Sequence, residues 1–140
     1  MRIRKTVTAA AITLLLVACD EGTKPAETEQ STDAPPPQVL QTKLEAQTQD
    51  PCAQQPESLT PEDCRKYITQ ITNTAKAVRR VGEHDRALQD AANTIEEGIE
   101  KYRGNECAGT DQQQQECTTA LSTAADGLRS AHDTLVTANG

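Results

Sequence analysis

The sequence predicts an all-α fold: a small up-down-up three-helix bundle, stapled by two disulfides and preceded by a disordered tether. Three observations carry that expectation. From about residue 60 onward, apolar residues recur at alternating spacings of four and three, the period of one helix face. Gly82 and Gly104 divide that stretch into three helical segments with short connections, which makes neighbouring helices antiparallel. Cys52, Cys64, Cys107 and Cys117 form an even set in a chain whose core lacks Phe and Trp. A domain this small with so little apolar bulk needs covalent staples.

Each segment has its own signals. The first starts at Thr60-Pro61-Glu62-Asp63, with Thr60 as candidate cap, Pro61 suited to the first helical position, and acids at the positive end of the dipole. Its stripe is Cys64, Ile68, Ile71, Ala75 and Val78, and Gly82 ends it. The second begins near Glu83 to Arg86 and carries Leu88, Ala92, Ile95, Ile99 and Tyr102. Lys101 and Arg103 lie in its last turn, where cations are favourable, before Gly104. The third has a capping-box pattern at Thr110 and Gln113, then Cys117, Leu121, Ala124, Leu128, Ala131 and Leu135. The first and third stripes share a pattern, a cysteine followed by apolar or small residues at the same four offsets. A faint duplication and a generic heptad-like stripe both account for it.

The bundle is expected over residues 58–140. Residues 19–57 read as an acidic tether rich in Pro, Gln and Thr, too poor in apolar surface to offset its ordering entropy. Within it Pro35-Pro36-Pro37 suits a stiff spacer, and Val39, Leu40 and Leu44 mark a candidate short helix over 37–49, stopped before Pro51. A coil of that length reaches roughly 35 Å.

Ahead of the tether, Arg2, Arg4 and Lys5 precede an apolar run from Val7 to Val17, the order of a signal peptide over residues 1–18. The run is shorter than the ~20 residues needed to span a bilayer. It closes on Leu16-Val17-Ala18-Cys19, which resembles the lipobox of bacterial lipoproteins. The resemblance covers the signal segment alone. It implies a diacylglyceryl thioether on Cys19, cleavage before it and acylation of the new amino group with chains such as palmitate. Several chains make a stable anchor, whereas one holds only marginally. Asp20 and Glu21, following the cysteine, resemble the membrane-sorting signal that retains lipoproteins in the inner membrane. The expected location is therefore the cell envelope, on the periplasmic face of the inner membrane ahead of the outer membrane.

Composition excludes several functions. Removing Arg2, Arg4 and Lys5 with the signal takes the formal charge from −7 to −10. Two Tyr, no Phe, no Trp and no basic stripe with interleaved aromatics argue against nucleic acid as a partner. The mean charge is also repelled by anionic lipid, so the anchor rather than the protein surface is expected to hold the membrane.

Lipidation of Cys19 removes one of five cysteines and leaves four in an oxidising compartment. All four map to one end of the bundle. Cys64 and Cys117, on core stripes at similar heights, are expected to pair, leaving Cys52 with Cys107. The sequential pairing is the alternative. Zinc is disfavoured by the wide spacings, and the absence of any C-x-x-C argues against a thiol oxidoreductase.

Other candidate sites are sparse. His84 and His132 fall at the far end of the bundle beside Glu83, Asp85 and Asp133, weak candidates for a metal site and equally ordinary as surface residues. Lys76, Arg79, Arg80 and Arg86 form a basic cluster that suits either the negative end of the first helix dipole or an acidic partner such as peptidoglycan. Gln112 to Gln115 and the pair Glu96-Glu97 read as solvated surface. There is no G-x-S-x-G and no H-E-x-x-H, so neither an enzyme nor a cofactor is expected. The sequence thus favours a non-enzymatic envelope lipoprotein that displays a helical bundle to an envelope protein or to peptidoglycan. A small-ligand or metal-binding periplasmic lipoprotein is the alternative.

Overall fold

The computed structural model describes residues 34–109 and 113–140. The signal segment with Cys19, Asp20 and Glu21, and the candidate cap Thr110, lie outside them. Among the described residues the protein is all-helical, with five α-helices and two disulfides. The helices are α1 (Pro37–Thr48), α2 (Pro51–Gln54), α3 (Arg65–Val81), α4 (Arg86–Gly104) and α5 (Gln114–Asn139). Two 3-10 turns, Pro56–Ser58 and Pro61–Cys64, lead into α3.

The three expected helices are α3, α4 and α5, but they do not form a three-helix bundle. α4 packs on both α3 and α5, and α1 packs on the same two helices from the opposite side. The diagonal pair α3 and α5 barely touch, because residues 37–64 fill the groove between them. Three hydrogen bonds along α5 trace this filling. Asn139 donates to Gln41 Oε1 at 3.5 Å, Arg129 to the Ala53 carbonyl at 2.8 Å, and Gln114 to the Leu59 carbonyl at 3.2 Å. As the chain runs from 41 to 59, its partners on α5 run from 139 to 114, so this segment is antiparallel to α5.

The tether assigned to 19–57 is corrected accordingly: from Pro37 onward the chain belongs to the bundle. The candidate helix at 37–49 is α1, and it is structural rather than a spacer. Leu40 and Leu44 are fully buried, while Val39 points outward at 59% exposure. Two leucines four apart give α1 one anchoring edge, and Pro37 at its start supplies a pre-set φ. Asp50 then caps α2, its carboxylate accepting from the Cys52 amide at 2.9 Å.

Local chemistry explains the remaining boundaries. Asp85 caps α4, accepting from the Ala87 and Leu88 amides at 2.9 and 3.2 Å. Thr60 is not a backbone cap; its hydroxyl donates to the Asp63 carboxylate at 2.7 Å. Gln89 closes the end of α3 by donating to the Arg79 and Gly82 carbonyls at 2.8 and 2.7 Å. Threonine is common in these helices despite modest helix propensity. The hydroxyls of Thr69, Thr72, Thr94, Thr119, Thr123, Thr134 and Thr137 each donate to the carbonyl four residues back.

α4 and α5 approach closely because their facing positions are Gly and Ala. A Cβ on Gly98 would lie 2.5 Å from the Ala124 amide nitrogen and 2.7 Å from the Ala120 carbonyl oxygen. One on Gly127 would lie 2.7 Å from the Ile95 nitrogen and 2.9 Å from the Ala91 oxygen. Backbone-to-backbone dispersion thus compensates for the lack of Phe and Trp.

The two tyrosines are both buried, with different hydroxyl environments. Tyr102 Oη donates to the Pro61 carbonyl and ties α4 to the turn before α3. Tyr67 Oη is buried without a partner. Tyr102→Phe is therefore expected to cost about 1 kcal/mol, since it removes a buried hydrogen bond, while Tyr67→Phe is expected to be neutral or slightly stabilising. Urea titrations of the two variants check the contrast.

Candidate functional site

The disulfides join Cys52 to Cys64 and Cys107 to Cys117, with Cα–Cα distances of 5.7 and 5.6 Å. The expected Cys64–Cys117 and Cys52–Cys107 pairing is therefore replaced by the sequential one. The reason is topological. Cys64 and Cys117 begin helices that lie diagonally across the bundle, with residues 37–64 between them. Each cysteine is instead within reach of the connection that precedes its own helix.

The sequential pairing divides the bundle into two similar hairpins: α1–Cys52–Cys64–α3 and α4–Cys107–Cys117–α5. Buried positions correspond at fixed offsets. Leu40, Leu44 and Cys52 stand 55 residues before Ile95, Ile99 and Cys107 (Cys107 minus Cys52), and buried Ala53 likewise before the partly buried Ala108. Cys64, Ile68, Ala75 and Val78 stand 53 residues before Cys117, Leu121, Leu128 and Ala131 (Cys117 minus Cys64). Exchanging α1 with α4 and α3 with α5 preserves which helices are neighbours, although α4 and α5 meet along a much longer seam than α1 and α3. The likeness legible between the first and third sequence stripes thus extends to the whole hairpin. The constant 55-residue offset of two leucine-type positions and a cysteine is the signal that marks α1 as α4's counterpart.

The other sequence candidates are not gathered into a reactive centre. His84 is exposed, and His132 Nδ1 is 3.5 Å from its own neighbour Asp133. Among the described residues no three His, Cys, Asp or Glu side chains are placed to hold a metal ion. A surface hollow of about 710 Å³ lies between Asp85 and the last turns of α5 at Ser130, Asp133, Thr134 and Thr137. Asp85, its one contribution from the start of α4, is already occupied as the α4 cap. Glu96 and Glu97 part company: Glu96 takes Arg79, and Glu97 takes Lys101 at 2.6 Å.

The basic cluster is also divided. Arg79 turns into the α3–α4 seam, donating to Glu96, to Asn93 Oδ1 at 2.9 Å and to Gln89 Oε1 at 3.2 Å. It is a structural tie. Arg86 lies 3.8 Å from Asp90. Lys76 and Arg80 remain exposed, and neither makes an ion pair among the described residues.

The perturbed titrations belong to the core. Burial pushes the Tyr67 phenol well above its ordinary range, and the Asp50 carboxylate adds to the shift while Arg129 opposes it. Burial raises Tyr102 as well, with Arg65 opposing and Glu62 reinforcing. Above pH 10, the ordinary tyrosine value, the unfolded chain releases these protons and the folded chain retains them. Stability is therefore expected to be complete below that pH and to fall as pH rises through it. Because the chain has only these two tyrosines, tyrosinate absorbance should appear together with loss of helical circular dichroism.

No family model, curated protein or solved structure matches the chain. No helix among the described residues is long and apolar enough to cross a membrane.

Proposed function

We propose that the chain is a non-enzymatic lipoprotein of the bacterial envelope. In this reading Cys19 is acylated and becomes the first residue, and the bundle from Pro37 onward is displayed on the periplasmic face of the inner membrane to another envelope protein or to peptidoglycan. The observation that carries the reading is Leu16-Val17-Ala18-Cys19 at the end of the apolar run. The closure of the other four cysteines into two disulfides supports it, because such bonds persist in oxidising compartments. Bundle packing from Pro37 shortens the proposed tether to residues 20–36.

Dispersal of the candidate catalytic and metal-ligating side chains favours display over chemistry. A small-ligand or metal carrier would need converging donors, and His84 and His132 do not supply them. The test is fractionation of the wild type and Cys19→Ala, followed by in-situ crosslinking of the membrane-held form. The wild type is expected in the membrane fraction with a reproducible crosslinked partner, and Cys19→Ala outside it. Equal fractionation of the two proteins would contradict the anchor. Repeated crosslinking without a product would contradict the display role.

A further inference from the structure

The mean charge of the chain is strongly negative, yet α3 carries Arg65, Lys66, Lys76, Arg79 and Arg80 and no acidic residue. With Arg79 committed to Glu96, the other four cations are exposed and make no ion pair among the described residues. At 100° per residue they fall within an arc of about 100° centred away from the core, with Thr69 and Asn73 between them. The four cations span about 23 Å along this face, two toward each end of α3 with a neutral stretch between them.

The corresponding positions of the two hairpins provide an internal comparison. The positions on α5 that correspond to Arg65, Lys66, Lys76 and Arg80 are Thr118, Thr119, Arg129 and Asp133. The counterparts of Thr69 and Asn73 are Ser122 and Asp126. Arg129, the one cation retained, is used structurally: it donates to the Ala53 carbonyl and pairs with Asp126 at 2.7 Å. The same place in the same architecture thus folds without a free cationic row. Dipole complementarity accounts for Arg80 in the last turn of α3, but not for Arg65 and Lys66 at the opposite end.

We propose that the outer face of α3 docks the bundle onto anionic phospholipid headgroups of the membrane that holds its anchor. The inference rests on the lipoprotein reading above, because the anchor supplies the high local concentration that a handful of surface cations needs. Shape and chemistry select the partner. The row carries no aromatic or large apolar residue of its own, so it lacks the anchors of a protein interface and the stacking surfaces that bind sugars. A plane of phosphates needs only cations that share one side. The acidic character of the other faces repels the same plane and fixes the orientation. The expectation of overall repulsion from anionic lipid holds for the mean charge and is reversed on this face.

The test uses the acylated full-length mature protein reconstituted by its anchor into vesicles of phosphatidylcholine, with or without phosphatidylglycerol. Lysine acylation is read by mass spectrometry, with Lys43 and Lys101 as internal references. In anionic vesicles Lys66 and Lys76 are expected to be protected roughly fivefold relative to the references. Protection should vanish in neutral vesicles and at high salt, and for Lys66 it should weaken in Arg65→Gln/Arg80→Gln. Equal labelling in both vesicle types overturns the proposal. So does equal protection by soluble polyglutamate without vesicles, which would assign the face to an acidic polymer. If the protein fails to float even with neutral vesicles, the anchor reading fails and this proposal falls with it. Flotation without protection overturns only the docking of α3.

Discussion

Reducing both disulfides is expected to unfold the bundle at room temperature. Each bond closes a short loop, with a sequence separation of 12 for Cys52–Cys64 and 10 for Cys107–Cys117. Chain-entropy estimates give about 3 kcal/mol for each. Their sum rivals the ~5–15 kcal/mol total stability of a typical domain. This core is poorly placed to absorb the loss, because apart from two tyrosines its hydrophobic residues are Ala, Cys, Ile, Leu and Val, with Gln47 and Thr74 buried among them. Replacing one pair, as Cys52→Ala/Cys64→Ala or Cys107→Ala/Cys117→Ala, is expected to lower Tm by roughly 10–20 °C and preserve the fold. Losing both should abolish cooperative melting. Because all four cysteines are buried, reduction under native conditions should be slow and should accelerate in mild urea. Thermal melts of the single-pair and double-pair variants, with and without reductant, check each part. A fully reduced protein with an unchanged melt would show that packing alone suffices.

Gly98→Ala and Gly127→Ala are expected to be destabilising by about 2 kcal/mol each, although Ala is the better helix former. Propensity favours the change by roughly 1 kcal/mol. Against it, the new methyl would meet backbone atoms of the facing helix at 2.5–2.9 Å, and these can yield only if α4 and α5 move apart. Overpacking of this kind costs about 1–3 kcal/mol. Separating the helices also loosens the Ala-to-Ala contacts along the seam, placing the cost at the upper end. Gly104→Ala provides the control, since its Cβ would meet nothing within 4 Å. That variant should be neutral or slightly stabilising. Urea titrations of the three variants separate packing from propensity. Stabilisation by Gly98→Ala would mean that the close approach is absent in solution.

The parts legible in the sequence were those whose signal is local. The stripes at Ile68–Ile71–Ala75, Ile95–Ile99 and Leu121–Ala124–Leu128 marked α3, α4 and α5 because each buried face repeats within one helix. Gly82 marks the turn between α3 and α4 for a similarly local reason, whereas the cap at Asp85 emerges only from the structure. α1 was legible only as a candidate helix within a tether. Leu40 and Leu44 are too few to mark a buried face, and the polar residues around them match the acidic segment before them. What makes those leucines core residues is the groove between α3 and α5, which exists only in three dimensions.

The disulfide pairing failed for the same reason. Equal heights of Cys64 and Cys117 imply a bond only if α3 and α5 are neighbours, and the segment that separates them was assigned elsewhere. The basic cluster shows a different limit. Sequence placed Arg79 with Lys76 and Arg80, but Arg79 is spent on Glu96, and the free row instead continues to Arg65 and Lys66. Helix phase alone could indicate the direction of those residues. It could not show which cation the adjoining helix would neutralise.

The proposed acylation of Cys19 stands beside a bundle of two hairpins, each closed by its own disulfide. A non-reduced peptide map of the mature protein extracted from membranes tests both halves at once. The predicted result is an acylated Cys19 as the first residue, with Cys52 linked to Cys64 and Cys107 linked to Cys117. A free Cys19 thiol with residues 1–18 still attached would contradict the anchor. A Cys64–Cys117 link would contradict the hairpin architecture.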